Sequence, residues 1–278
     1  MRTYNDLLIE YKKVFNEKET LRAFLFELCN EYNINLYLKK DNIADERVEK
    51  RFIEGVHRLA NNEPMNYILG YSYFYGYKLK VNKDVLIPRY ETEELVGNIL
   101  SYVDEYYKND THIVLADIGT GSGAIAIALK KEEDKLDVYA SDISKEAIEV
   151  AKTNAKENNV DIKFLIGSML DPIIENNIKL DILVSNPPYI KEDEVLEKSV
   201  KDYEPNIALF GGDDGLKFYR IIFENASKVM KDKGFLFFEI GYDQKEHLSS
   251  LARQYFKDAD ISVLKDINKK DRMLVIKL

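Results

Sequence analysis

An α/β fold is predicted for most of this chain: a mostly parallel sheet covered on both faces, behind a small helical domain. Three observations predict it. From His112 onward, apolar strand-length runs alternate with helical stripes, the rhythm of a parallel sheet with crossover helices. The last two strand patterns, Ile261 to Leu264 and Met273 to Ile276, are joined by a polar stretch too short for a crossover helix, so they pair antiparallel. Residues 1 to 68 carry helical stripes and no strand pattern.

In the helical part, Leu21, Phe24, Leu25 and Leu28 follow the i, i+3, i+4, i+7 rule. Val48, Phe52, Val56 and Leu59 form a second stripe, with Lys- and Glu-rich solvated faces between. Residues 69 to 88 read as a linking hairpin. Tyr71 to Val81 is aromatic and β-branched with a central glycine, and Asn82-Lys83-Asp84 turns the chain toward Val85-Leu86-Ile87. Its tyrosines suit a half-exposed hairpin better than nucleobase stacking. Pro88 to Leu95 opens a helix with acidic residues in its first turn, and residues 89 to 278 form the larger domain.

Within that domain Ile113 to Asp117 is a strand, Ala124 to Lys131 a helix and Asp137 to Asp142 a strand. Ser144 caps a helix whose inner face carries Ala147, Val150, Ala151 and Ala155. Further strands follow at Ile162 to Ile166, Ile182 to Ser185 and Gly234 to Ile240, with a helix from Leu216 to Met230.

Composition narrows the function classes. Of the 278 residues, 45% are apolar and 32% charged, which marks a soluble globular chain. No run approaches the ~20 apolar residues of a membrane span, and the start lacks a signal-peptide core, so the cytoplasm is expected. A single Cys29 excludes an internal disulfide. A net charge of −9 argues against stable nucleic-acid binding. His57, His112 and His247 have neither metal nor triad spacing, so no metal is expected.

Three segments carry chemistry. Asp117-Ile118-Gly119-Thr120-Gly121-Ser122-Gly123 stands at the first strand-to-helix turn, where glycines let the backbone approach a ligand. Its G-x-G-x-G spacing differs from the dinucleotide fingerprint G-x-G-x-x-G, and Asp117 suits an ammonium group rather than a pyrophosphate. Asp142 ends the second strand, where a carboxylate accepts both hydroxyls of a ribose, though it also suits a helix-preceding cap. Gly167-Ser168-Met169 lies where an adenine edge belongs; Met169 is equally suited to a flat ring and to core filling.

The third segment, Asn186-Pro187-Pro188-Tyr189, follows an apolar strand. With proline at roughly 5% of residues, its chance occurrence is on the order of one in a thousand, so it is no ordinary loop. Asn186 Oδ1 and the Pro187 carbonyl are two fixed acceptors for a planar NH2 group, and Tyr189 packs on that plane and faces a nearby cation. An Asn capping its own backbone explains neither the prolines nor the tyrosine.

Together these segments resemble a class I S-adenosylmethionine-dependent methyltransferase, which implies a Rossmann-like, mostly parallel seven-stranded sheet with an antiparallel last strand. Over almost its whole length the chain is similar to the HemK/PrmC family. The resemblance rests on Tyr67 to Gly70, Ile87 to Glu93, Asn186 to Ile190, Glu204-Pro205, Ala208-Leu209, Gly211 to Leu216, Tyr219-Arg220 and Glu239 to Gly241. It departs at Tyr90, where the family has proline, and at Ser168, where an acidic residue is common. The resemblance implies methyl transfer to the side-chain amide N5 of the glutamine in the Gly-Gly-Gln motif of class I peptide chain release factors, modulating termination. It implies S-adenosylmethionine as cofactor and S-adenosylhomocysteine as product. Cofactor contacts then fall to Asp117, Gly119, Thr120, Gly121, Ser122, Gly123, Asp142, Ser168, Met169 and Asn186. Asn186, Pro187 and Tyr189 become catalytic, and substrate contacts add Pro188, Arg89, Glu91 and Thr92. The helical domain becomes a recognition module for the release factor, and a monomer is the default expectation for an enzyme that embraces a large protein partner.

Three alternatives stand beside this reading. A ribosomal-protein glutamine methyltransferase would have the same site chemistry. An N6-adenine DNA methyltransferase would need a basic target-recognition insertion, and none is evident. A non-catalytic translation-factor adaptor would not need the intact glycines and tetrapeptide.

Overall fold

The computed structural model describes residues 1–278. They form two compact units, residues 1–71 with 196–203, and residues 72–195 with 204–278. No helix is long and apolar enough to cross a membrane.

The first unit contains α1 (Tyr4–Tyr11), α2 (Lys18–Glu31), α3 (Leu36–Lys39), α4 (Glu46–Ala60) and α5 (Met65–Leu69). Helix α1 starts at a capping box: the Thr3 hydroxyl accepts from the Asp6 amide at 3.1 Å, and the Asp6 carboxylate accepts from the Thr3 amide at 2.9 Å. Leu21, Phe24, Leu25, Leu28, Val48, Phe52 and Val56 are buried to within 1% of full exclusion, so both stripes face one core. Gly55 lets α2 and α4 approach closely, since a Cβ there would run into the Phe24 ring. Cys29 packs in this core, and burial pushes its thiol up to about 11. Residues 196–203, ending in α10 (Lys198–Tyr203), join the same unit, with the Tyr203 hydroxyl donating to the Asn61 carbonyl at 2.9 Å. Nothing in the sequence between Asn186 and Glu204 signals that grouping.

Strands β1 (Tyr71–Phe74) and β2 (Tyr77–Lys80) form the hairpin. Its central residues, Tyr75 and Gly76, have φ of +50° and +81°, the type I′ geometry that matches strand twist. Tyr73 is exposed, whereas Tyr77 lies beneath Lys131 Nζ (5.7 Å to the ring centroid) and hydrogen-bonds Glu132.

The main sheet comprises β3 (Ile113–Ile118), β4 (Leu136–Asp142), β5 (Lys163–Ile166), β6 (Leu180–Ser185), β7 (Met230–Glu239), β8 (Asp260–Lys265) and β9 (Asp271–Lys277). Its order is β5-β4-β3-β6-β7-β9-β8, and β9 runs antiparallel to both neighbours while β3 to β7 pair parallel. Side chains alternate between two cores, as a period of two demands. Phe235 and Phe237 pack with α6 (Tyr90–Tyr106) and α7 (Ala124–Glu132), while Leu236 and Phe238 pack with α11 (Lys217–Val229) and α12 (Lys245–Tyr255). Helix α8 (Lys145–Glu157) and the short α9 (Asp171–Glu175) complete the two layers.

Two expectations shift. On α8 the buried face is Ala147, Ile148, Ala151, Asn154 and Ala155, with Val150 only half-buried, because 100° per residue turns position 150 to the edge of the stripe. Strand β7 starts at Met230, directly where α11 ends, rather than at Gly234; its pairing with β6 is irregular between Leu180 and Ile182, which absorbs the extra length.

Candidate functional site

The site lies where the strand order reverses. From β3 the chain moves outward through β4 and β5, then returns to place β6 on the other side of β3. Asp117 therefore pairs with Val184, and Ile118 with Ser185, so the glycine turn and the tetrapeptide leave adjacent carboxyl ends of the sheet. Open α/β sheets bind ligands at such a crevice.

The glycine turn is held from below. The amides of Gly119 and Thr120 both donate to the Ser141 carbonyl at 2.9 Å. Gly119 and Gly121 have φ of +74° and +55°, and a Cβ on either would meet nothing within 4 Å, so the backbone borders open space. Gly123 differs: a Cβ there would come within 3.2 Å of the Ala151 Cβ, so this glycine serves the packing of α7 on α8. Ser122 is likewise buried, its carbonyl accepting from Asn154 Nδ2 at 2.9 Å. The same Asn154 side chain pairs with the backbone of Lys80 at 2.7 and 3.0 Å, tying the hairpin to the turn.

Asp117 is fully buried. Its Oδ2 accepts from the Thr120 hydroxyl at 2.6 Å, while Oδ1 has no hydrogen-bond partner. Burial pushes its carboxyl up to about 7 against the pull of the Thr120 hydroxyl and of the Ala126 amide, which faces it from the first turn of α7. A buried carboxylate oxygen with no partner beside an open glycine turn fits a cationic group of a ligand. Asp142 holds the Gly121 amide on Oδ2 and the Ser144 amide on Oδ1, each at 2.9 Å, so it caps the turn and the following helix while keeping lone pairs free. Burial raises its carboxyl above the usual range, and those amides oppose the rise. Met169 adopts φ +43° and packs, half-buried, against the core that includes Leu170 and Ile173; the Ser168 carbonyl accepts from the Asp171 amide.

On the other side of the crevice, Asn186 Nδ2 donates to Thr92 Oγ1 at 3.2 Å. Asn186 Oδ1 and the Pro187 carbonyl accept no hydrogen bond from the protein. Tyr189 donates its hydroxyl to Glu239 Oε1 at 3.3 Å and accepts Gln244 Nε2 on its carbonyl at 3.1 Å; burial raises that hydroxyl far above its ordinary range. Pro188 is half-buried, and the loop from Gly211 to Gly215 lies against the tetrapeptide's backbone. Arg89 does not reach the tetrapeptide by a hydrogen bond; its Nη2 donates to the buried Glu204 at 2.6 Å, and Glu204 also accepts the Ile87 amide at 3.2 Å. Glu91 is half-exposed in the first turn of α6. Thr92, expected at the substrate, is buried behind Asn186 with both sides of its hydroxyl engaged, because its position on α6 points inward.

Residues 102–202 match the model of the Methyltransferase small domain family. A release factor glutamine methyltransferase of Bacillus cereus is 44% identical over 253 residues, 89% of each chain. One of Bacillus subtilis is 46% identical over 226 residues, 81% of this chain and 78% of that relative. The chain belongs to the release factor glutamine methyltransferase family. Its fold is that of methyltransferases generally: the hMettl16 catalytic domain superposes with a TM-score of 0.55 at 17% identity, covering 84% of this chain and 82% of that one.

In this family member, three residues that shape the site had not been assigned to it from sequence. Glu239 ends the buried apolar run Phe235 to Phe238 of β7, Asn154 lies on an otherwise apolar helix face, and Gln244 at the start of α12. For the first two the signal was visible: a polar side chain inside a buried pattern needs partners, and partners there are the site.

Proposed function

We propose that this methyltransferase transfers a methyl group from S-adenosylmethionine to the N5 amide nitrogen of the glutamine in the Gly-Gly-Gln motif of class I release factors, modulating termination in the cytoplasm. The observation that carries it is the pair of unengaged acceptors, Asn186 Oδ1 and the Pro187 carbonyl, presented from a fixed backbone. A carboxamide nitrogen is a poor nucleophile because its lone pair is delocalised into the carbonyl. Two acceptors on its N–H groups draw electron density back to nitrogen and orient it, and prolines on either side of the second acceptor hold them in advance. The bound cofactor supplies an electrophilic methyl on a sulfonium.

Residues near the glycine turn fit that cofactor. The partnerless Asp117 Oδ1 meets its ammonium, Asp142 keeps lone pairs for the ribose hydroxyls, and the open backbone at Gly119 and Gly121 admits the chain between them. Ser168 and Met169 border the adenine side. Tyr189 covers the substrate amide, and no strong base is required, since the nitrogen becomes acidic only as the new bond forms. Release factors are favoured over a ribosomal protein because the relatives matched over most of their length carry that name. The helical unit serves recognition of the protein partner. Mass spectrometry of release factors incubated with enzyme and cofactor tests the proposal: a gain of one methyl on the Gly-Gly-Gln glutamine is expected. Methylation of a ribosomal protein or of adenine in DNA instead would overturn it.

A further inference from the structure

Glu239 is 2% exposed, yet each of its carboxylate oxygens takes a bond from the site. Oε2 accepts from the Thr92 hydroxyl at 2.6 Å, and Oε1 from the Tyr189 hydroxyl at 3.3 Å. A hydroxyl has one proton. Thr92 gives its proton to Glu239, so toward Asn186 it offers lone pairs only and accepts from Nδ2 at 3.2 Å. A reversed Asn186 amide would set Oδ1 against those lone pairs. The carboxylate thereby decides the sense of an amide two hydrogen bonds away.

We propose that Glu239 is the positioning residue of the site, acting through Thr92 on Asn186 and directly on Tyr189. This rests on the proposed role of Asn186 Oδ1 as an acceptor for a substrate amide. One buried carboxylate thus orients the two polar side chains of the tetrapeptide, accepting from both hydroxyls. The surroundings hold the anchor in place. The Tyr219 hydroxyl donates to the Glu239 carbonyl at 2.6 Å, and Arg272, itself donating to Asp266 at 3.3 Å, provides the nearby positive charge. Burial raises its carboxyl above the ordinary range; the Thr92 hydroxyl, Arg272 and the Tyr189 hydroxyl hold that rise back, while Glu91 adds to it.

The test compares Glu239→Gln, Thr92→Val and Thr92→Ser in the full chain. Thr92→Val keeps the shape and removes the hydroxyl; Thr92→Ser keeps the hydroxyl. Loss of the relay misplaces the acceptor by a fraction of an ångström to 1 Å, so Thr92→Val and Glu239→Gln should each lower kcat about ten- to a hundredfold. Cofactor affinity and substrate KM should stay within about threefold, and Thr92→Ser should restore turnover. The double variant should be no slower than the worse single one, because both break one chain of bonds. Independently of any substrate, the Asn186 side-chain amide signal in an ¹⁵N-correlated NMR spectrum should shift, and its protection from exchange should fall, in Thr92→Val but not in Thr92→Ser. An unchanged Asn186 signal in Thr92→Val, or additive kinetic losses, would overturn the relay. If wild-type enzyme methylates no release factor, the proposed function fails while the NMR comparison still decides the relay. Should Glu239→Gln not fold, the Val and Ser variants carry the test.

Discussion

Gly215→Ala is expected to damage the site far more than the fold. Gly215 has φ +74°, and a Cβ there would run into the Tyr189 carbonyl oxygen and lie 2.6 Å from Gln244 Nε2. Alanine in this region costs about 1–2 kcal/mol for the backbone alone. The clash adds about 1–3 kcal/mol of overpacking, since backbone rather than a flexible side-chain end must retreat. Gly76 supplies the internal reference: φ is +81° but nothing lies within 4 Å of a Cβ, so Gly76→Ala carries the backbone cost only. For a unit of roughly 200 residues, each kcal/mol lowers Tm by about 2–4 °C, so Gly215→Ala should melt about 2–12 °C below Gly76→Ala. The catalytic effect is larger. To regain ordinary contact the Tyr189 carbonyl must retreat by about 1 Å, and a displacement of that size at a reacting group costs about a hundredfold in rate. Thermal melts and methyl-transfer kinetics with labelled cofactor measure both. If Gly215→Ala turns over within threefold of wild type, the loop does not position Tyr189 and the reasoning is wrong.

Asn186→Ala should fold normally and hold cofactor as before, but lose about 10²–10³ in kcat, the usual scale for one preorganised polar contact in a transition state; unchanged turnover contradicts its role. Asp117, pushed up to about 7, is largely protonated at pH 6, and pairing with a cationic cofactor would lower its pKa again. Binding should therefore release a proton and weaken about tenfold per pH unit below 7. Without ligand, the protonated form contributes stability that is full below about pH 4 and lost as pH rises through 7. Calorimetry at pH 6 in buffers of different ionisation enthalpy reads the proton, and Asp117→Asn should abolish it. Asn154→Leu strips partners from the Ser122 carbonyl and from Lys80; it should cost about 2–4 kcal/mol and weaken cofactor binding, measured by denaturation and titration. Phe52→Ala empties the core of the helical unit, where it stacks on Phe24, at about 3–5 kcal/mol to that unit. It should raise the release-factor KM while leaving cofactor Kd unchanged.

What was legible in the chain divides by the range of the physics. The apolar alternation of Phe235 to Phe238 and the stripes of α2 and α4 are local patterns that burial enforces, and they appear in the structure where the periodicity puts them. The antiparallel placement of β9 follows from a connection too short to cross the sheet. The carbonyl acceptor at Pro187 was equally legible, because proline restricts its own backbone. The orientation of Asn186 was not, since it depends on Thr92 and Glu239, 94 and 53 residues away, meeting only after the sheet has formed. Neither partner belongs to a local pattern: Thr92 faces inward from the first turn of α6, and Glu239 ends the apolar run Phe235 to Phe238. A charge inside such a strand costs several kcal/mol unless partners await it, so its presence in β7 already implied a buried polar network at that strand's carboxyl end. The tetrapeptide leaves β6, the neighbour of β7, at the same edge. The β6–β7 pairing is what sets that anchor beside the acceptors.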